Sequence, residues 1–288
     1  MRSFWFGVLV CAAMFVACSD DDSDFATRPS DVSSSSVCED CDDGSSSSSR
    51  TKSSSSSAES SSSAKSSSSS AKSSSSSRIG CKTETEDNCE YGELLDDRDG
   101  QTYKTVKIGD QWWMAENLNY QVDSSFCNND SAEYCEKYGR FYRWAAAVGK
   151  SESECGYDST CSLPSGNIQG VCPSGWHLPS KTEWRTLFDA VGGQSMACEV
   201  LKSTFEWNDY YEGKSGNGTD AFGFSALPSG QRGNDGNYYG EGNYACFWSS
   251  TEVNSGSAYR IDLFYNHAHA GLGNDNKYHA FSVRCVKD

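Results

Sequence analysis

The chain predicts a mixed α+β domain of short antiparallel strands, one or two main helices, long loops and disulfides. Two patterns carry this. Ser180 and Glu183 form a capping box, followed by Trp184, Leu187, Phe188 and Val191 at helical spacing up to Gly192-Gly193. Late in the chain, Tyr259, Ile261, Leu263 and Tyr265 alternate with other residues, as do Phe281, Val283 and Cys285. Alternation of period two puts each set on one face of a strand.

Taken in order, the first strand expected is Thr102 to Ile108, with Val106 and Ile108 on one face. Gly109-Asp110 is a two-residue hairpin turn, and Gln111 to Met114 returns with Trp112 and Met114 on one side. The helix from Ser180 follows, its apolar stripe destined for a core. Strands are then expected at Phe222 to Leu227, Cys246 to Thr251, Tyr259 to Tyr265 and Phe281 to Val286, separated by Gly- and Asn-rich loops.

The domain occupies only the later part of the chain. Residues 1–17 read as an export signal: Arg2 is the only charge before an apolar run over residues 4–17, too short to span a bilayer as a helix. The tetrapeptide Phe15-Val16-Ala17-Cys18 resembles a bacterial lipobox, so Cys18 is the expected lipidation site and first mature residue. Several acyl chains on one residue give lasting attachment, making the membrane the first expected partner. Residues 18–77 form a Ser- and Asp-rich tether with too little apolar surface to offset the entropy of folding. As a flexible coil it holds the domain at a root-mean-square distance of roughly 40 to 45 Å from its anchor. Residues 78–288 then suit one domain with a substantial core.

The formal net charge is −16, and removal of the signal takes away the positive charge of Arg2. Such a surface repels phosphate backbones and argues against nucleic-acid binding. Of the 14 cysteines, Cys11 falls in the signal and Cys18 carries the lipid. The rest are even in number in an exported chain, which reads as disulfides. The single CxxC, Cys38 to Cys41, has no second CxxC or His pair to complete a zinc site.

Seven ordered blocks then carry a family resemblance. They begin with Asp99 to Gly109, Trp113-Met114-Ala115-Glu116-Asn117-Leu118-Asn119-Tyr120 and Tyr138-Gly139-Arg140-Phe141-Tyr142 before Trp144. They continue through Cys172-Pro173-Ser174-Gly175-Trp176-His177-Leu178-Pro179 with Glu183-Trp184, then Phe222 to Pro228, Phe247 to Glu252 and Val283 to Val286. The pattern resembles the Fibrobacter succinogenes major paralogous domain, from about residue 89 to the end. Such domains occur on exported, often lipid-anchored proteins of fibre-degrading bacteria, and the family has no established activity. The resemblance therefore implies an outer-membrane or cell-surface location. Gly175 to Pro179 leading into a helix also resembles, more distantly, the C-type-lectin-like and formylglycine-generating-enzyme folds. That likeness implies a compact double-looped domain with its termini close together.

Short loops favour the pairs Cys81 with Cys89, Cys127 with Cys135 and Cys155 with Cys161. The lectin-like comparison implies Cys172 with Cys285, worth about 4 to 5 kcal/mol in the chain-entropy model. Cys198 and Cys246 are left to each other, and Cys38 with Cys41 suits a small loop in the tether.

No catalytic constellation emerges, so no enzyme, cofactor or metal is assigned. No Ser occupies a G-x-S-x-G elbow. His267, His269 and His279 lack a carboxylate or Cys fixed beside them in sequence, and strand histidines are usually solvated. Trp207-Asn208-Asp209 copies a calcium and sugar motif of true C-type lectins, yet lies far ahead of the final strand where that motif belongs. Cys285 lacks the neighbouring cysteine that formylglycine-generating enzymes need. Ligand binding is the surviving expectation. Trp207, Tyr210, Tyr211, Tyr238, Tyr239 and Tyr244 lie in loops dense in Gly, Asn and Asp, where flat aromatic faces beside polar groups suit sugar rings. The expected function is a surface-displayed binding or adhesion module for polysaccharide or a surface protein. The alternatives are an extracellular polymer hydrolase and a structural or protein-binding envelope component.

Overall fold

The computed structural model describes residues 80–288; the expected export signal, lipidation at Cys18, tether and Cys38–Cys41 pairing lie outside the described residues. The first strands, β1 (Tyr91–Leu95), β2 (Thr102–Ile108) and β3 (Gln111–Met114), form a meander. Ile108 pairs with Gln111 across Gly109-Asp110, and Gly109 takes the positive φ of 63° that this tight turn requires. β4 (Ser125–Phe126) precedes α1 (Ala132–Tyr138), then β5 (Phe141–Arg143), α2 (Trp144–Ala147) and α3 (Glu152–Cys155). The two longest helices are α4 (Lys181–Ala190) and α5 (Gln194–Leu201). The chain ends in β6 (Gln231–Arg232), β7 (Tyr238–Tyr239), β8 (Tyr244–Asn254), β9 (Ser257–Phe264), β10 (Gly271–Asn276), β11 (Ala280–Ser282) and β12 (Val286–Lys287).

These strands make two sheets. One has the order β1-β2-β3-β12; the other runs β10-β9-β8-β11-β5-β4, with β6 and β7 branching from β11. Every pairing between strands is antiparallel except β8 with β11. The fold is therefore α+β, with the closing strand β12 returning to the first sheet against β3.

Two apolar clusters hold it together, and β8 contributes to both by alternation. Ala245 and Phe247 join Trp113, Trp184, Phe188, Leu201 and Ile261 in the first. Cys246 and Trp248 join Tyr142, Trp144, Phe281, Val283 and Cys285 in the second. Helix α4 starts at Ser180, whose hydroxyl accepts from the Glu183 N–H (3.2 Å) while the Glu183 carboxylate accepts from the Ser180 N–H (2.8 Å). Trp184, Leu187 and Phe188 then face the first cluster.

Three expectations need correction. Phe222 to Leu227 is not a strand: Asp220 accepts hydrogen bonds from the Ser225 N–H and hydroxyl (2.6 and 2.7 Å), and Gly223 and Ser225 have positive φ. The segment wraps around Asp220, and Phe222 and Phe224 still reach the core. Phe281 to Val286 is split, because β11 and β12 belong to different sheets with Arg284 between them. Cys198 and Cys246 do not pair; both are buried free thiols. Cys198 sits on α5 in the first cluster and Cys246 points from β8 into the second, so a sheet separates them.

The disulfides present among the described residues are Cys81–Cys89, Cys127–Cys135, Cys155–Cys161 and Cys172–Cys285. The last spans 113 residues and fastens the segment before α4 to the last part of the chain. Bridges of this kind belong to an oxidising compartment. No helix among the described residues is long and apolar enough to cross a membrane.

Candidate functional site

The best-formed concavity is a cleft of about 360 Å³ between β2, the end of α1 and the loop around Ser225. Its position follows from two local features. Asn117 and Leu118 leave the end of β3 in extended chain, and Gly139 caps α1 directly against them. Gly139 has a φ of 72°, and a Cβ there would fall 2.8 Å from the Asn117 Cβ and main-chain oxygen. Glycine thus permits the close approach that forms one wall.

Beneath the cleft lies Arg284, only 1% exposed. Its Nε donates to Asn117 Oδ1 (2.8 Å), Nη2 donates to the Ser225 carbonyl (3.0 Å), and Nη1 donates to the Phe224 carbonyl. The Asn117 amide in turn donates to the Tyr138 carbonyl (2.8 Å). Phe224 stacks under the guanidinium at 4.3 Å from its ring centre. Burial draws the Arg284 pKa down, but a guanidinium starts so high that it stays charged. The floor is thus a cation caged by carbonyls and an aromatic ring.

The walls mix aromatic and polar groups. Burial pushes the phenols of Tyr103 and Tyr138 up to about 12, so both stay protonated at neutral pH. Tyr103 Oη accepts from the Asn119 N–H (3.0 Å), and Tyr138 Oη donates to Glu241 (3.2 Å). Lys104, Lys137, Glu116 and Glu136 line the cleft without one sign prevailing, and Phe205 projects beside them, 54% exposed. Asn119 Oδ1 is buried and has no hydrogen-bond donor among the described residues.

Two more open depressions adjoin this cleft. One shares Thr102 and Lys104 with it and extends to Tyr91; the other shares Gln101, Asn119 and Glu136 and extends to Tyr120 and Arg140. Each end carries a tyrosine covered by a cation: Lys104 Nζ lies 3.8 Å from the Tyr91 ring centre, and Arg98 lies 3.9 Å from that of Tyr120. The result is a trough rather than an isolated pocket.

The six aromatic residues expected to bind ligand do not line it, and they do not come together. Trp207 is core, 4% exposed, and its indole N–H donates to Ser203 Oγ and the Ala226 carbonyl (3.0 and 3.1 Å). Tyr210 packs edge-on against Tyr265 beside a separate small pocket, whereas Tyr211 is 76% exposed. Tyr238 and Tyr239 are neighbours on β7 and so point to opposite faces: Tyr238 donates to Asp130, and Tyr239 donates to Asp235. Tyr244 is half-buried against Phe264. The loop expectation fails for Tyr238 and Tyr239, which form β7, and for Tyr244, which opens β8; Gly- and Asn-rich composition also does not say which way a ring faces.

The histidines are also apart. His279 contacts Asp275 (3.0 Å), His269 lies near Gln194, and His267 packs edge-on against Phe264. No local pattern marks the trough, because its floor joins residues 117 and 284. The one sequence signal was that both fall inside the family-like blocks.

No curated protein and no solved structure matches the chain. The family described as the Fibrobacter succinogenes major domain matches residues 106–287, which hold the α1 wall, the Phe205 and Ser225 edge and the Arg284 floor of the cleft. Matched over most of its length, the chain belongs to the Fibrobacter succinogenes major domain family.

Proposed function

We propose that the protein is an exported, Cys18-lipidated surface module whose trough binds a polysaccharide chain. The observation that carries this is that the three depressions adjoin through shared lining residues, which would offer an extended ligand more length than one closed pocket. An extended polymer needs such length. Sugar rings present apolar faces and a fringe of hydroxyls, and the trough sets the exposed Phe205 beside Asn119, Gln101 and charges of both signs, with Tyr91 and Tyr120 at its ends each carrying a cation on one face. Asn119 lines both the cleft and its Tyr120 end, and so places an amide where sugar hydroxyls would lie. The Ser-rich stretch ahead of the domain would carry the trough clear of the membrane.

The test is retention of the full chain on cellulose, xylan and peptidoglycan, with release of reducing sugar measured in parallel. Binding to one polymer, weakened about tenfold by Phe205→Ala or Asn119→Ala, supports the reading. Sugar release would favour a hydrolase instead, and no retention would favour a structural or protein-binding role. Loss of fatty-acid labelling in Cys18→Ser checks the anchor.

A further inference from the structure

Away from the trough, the Gly175 to Glu183 block places three ligand-bearing side chains together. His177 is tied to the closing strand by paired backbone bonds with Val286 (3.0 and 2.9 Å), which brings Asp288 alongside its ring. Glu183, on the first turn of α4, meets the same ring: His177 Nε2 and Glu183 Oε1 are 2.6 Å apart. One ligand atom each from His177, Glu183 and Asp288 lies within 4.8 Å of the others.

We propose that these three residues bind one divalent first-row transition-metal ion, with Zn2+ the ion the ligand set fits best. The proton shared by His177 and Glu183 offsets one of the two carboxylate charges, whereas a divalent ion between the carboxylates offsets both. The nitrogen ligand disfavours Ca2+ and Mg2+, which take oxygen sets; one imidazole with two carboxylates suits zinc.

Both carboxylates are oriented by outer partners, as metal ligands usually are. Gln111 Nε2 donates to Asp288 Oδ1 (2.9 Å) and Asn167 Nδ2 donates to Asp288 Oδ2 (3.1 Å). Glu183 Oε2 is held by the Ser180 N–H (2.8 Å). His177 is 7% exposed, so its ring cannot swing away. Coordination through Nε2 displaces the proton shared with Glu183. The ring then keeps its remaining proton on Nδ1, and the Asn167 amide nitrogen stays on Asp288. Asp288 is exposed, leaving the remaining coordination position to water. The ion would clasp the start of α4 to β12. Sequence spacing hid this site because Glu183 and Asp288 are far apart in the chain.

The test is a chelator-treated full chain, titrated with ZnCl2 by calorimetry and melted with and without the ion. The expected result is a bound Zn2+ that raises Tm by a few degrees, with affinity reduced at least about tenfold in both His177→Gln and Asp288→Asn. Asp288 is exposed, so its variant stays folded even where the His177 variant does not. Zn2+ held elsewhere persists in both variants. Absence of a Zn2+-dependent rise in Tm, retention of that rise in either folded variant, or an equal response to CaCl2 overturns the proposal.

Discussion

Asn117 Oδ1 and Arg284 Nε meet at 2.8 Å beneath the trough, joining the segment after β3 to the last turn of the chain. Both side chains are buried, and the partners of the Arg284 guanidinium among the described residues are carbonyl oxygens rather than carboxylates. Replacing Asn117 by Leu leaves a charged N–H without its acceptor, at a cost of about 2 to 4 kcal/mol. The double variant Asn117→Leu with Arg284→Met should lose less than the sum of the single losses, because no orphaned charge remains. Urea melts of the four proteins measure the coupling.

Cys198 and Cys246 should be inert in the folded protein. Burial pushes their thiols up to about 11 and about 12, so almost no thiolate exists at pH 8. Peptide mapping after iodoacetamide treatment should find both unmodified in native protein and both alkylated in guanidinium. A disulfide between them in non-reduced digests would contradict the fold.

Removing the long bridge should be costly. Cys172→Ala with Cys285→Ala frees a loop of 113 residues, and the expected loss is about 2 to 5 kcal/mol in denaturant melts under non-reducing conditions.

Asp96 is fully buried and receives Arg98 Nε and Nη2 at 2.7 and 2.6 Å. Burial alone raises its pKa, but the hydrogen bonds and charge of Arg98 outweigh this and hold it below the ordinary carboxylate range. A depressed folded value contributes stability that is present above the unfolded pKa, near 3.9, and is lost as pH falls through the folded value. Asp96→Asn should therefore lower Tm at pH 7 and narrow the gap to wild type below pH 4.

Gly139→Ala tests the cleft wall. The positive φ and the 2.8 Å approach to Asn117 predict a loss above about 1 kcal/mol in melts, together with weaker polymer retention.

Much of the fold was legible because it is written locally. The α4 start needs only Ser180 and Glu183, three residues apart, and the β2–β3 hairpin needs only Gly109-Asp110 between two apolar runs. The disulfides with short loops follow from proximity along the chain. Phe222 to Leu227 misled because its apolar spacing was satisfied by a loop wound around Asp220 as well as by a strand. Cysteine count alone made Cys198 and Cys246 partners, but count carries no information about which side of a sheet each thiol faces.

The sequence by itself determined the secondary-structure class, the family and the oxidising character of the domain, since periodicity, ordered motifs and cysteine number are properties of neighbouring residues. Only the tertiary structure decided which side chains stand together: Asn117 with Arg284 under the trough, His177 and Glu183 with Asp288 at the closing strand, and Tyr238 apart from Tyr239. The reason is physical. A site is a relation in space between residues distant in sequence, and that relation is set by core packing and sheet order, which no local pattern encodes.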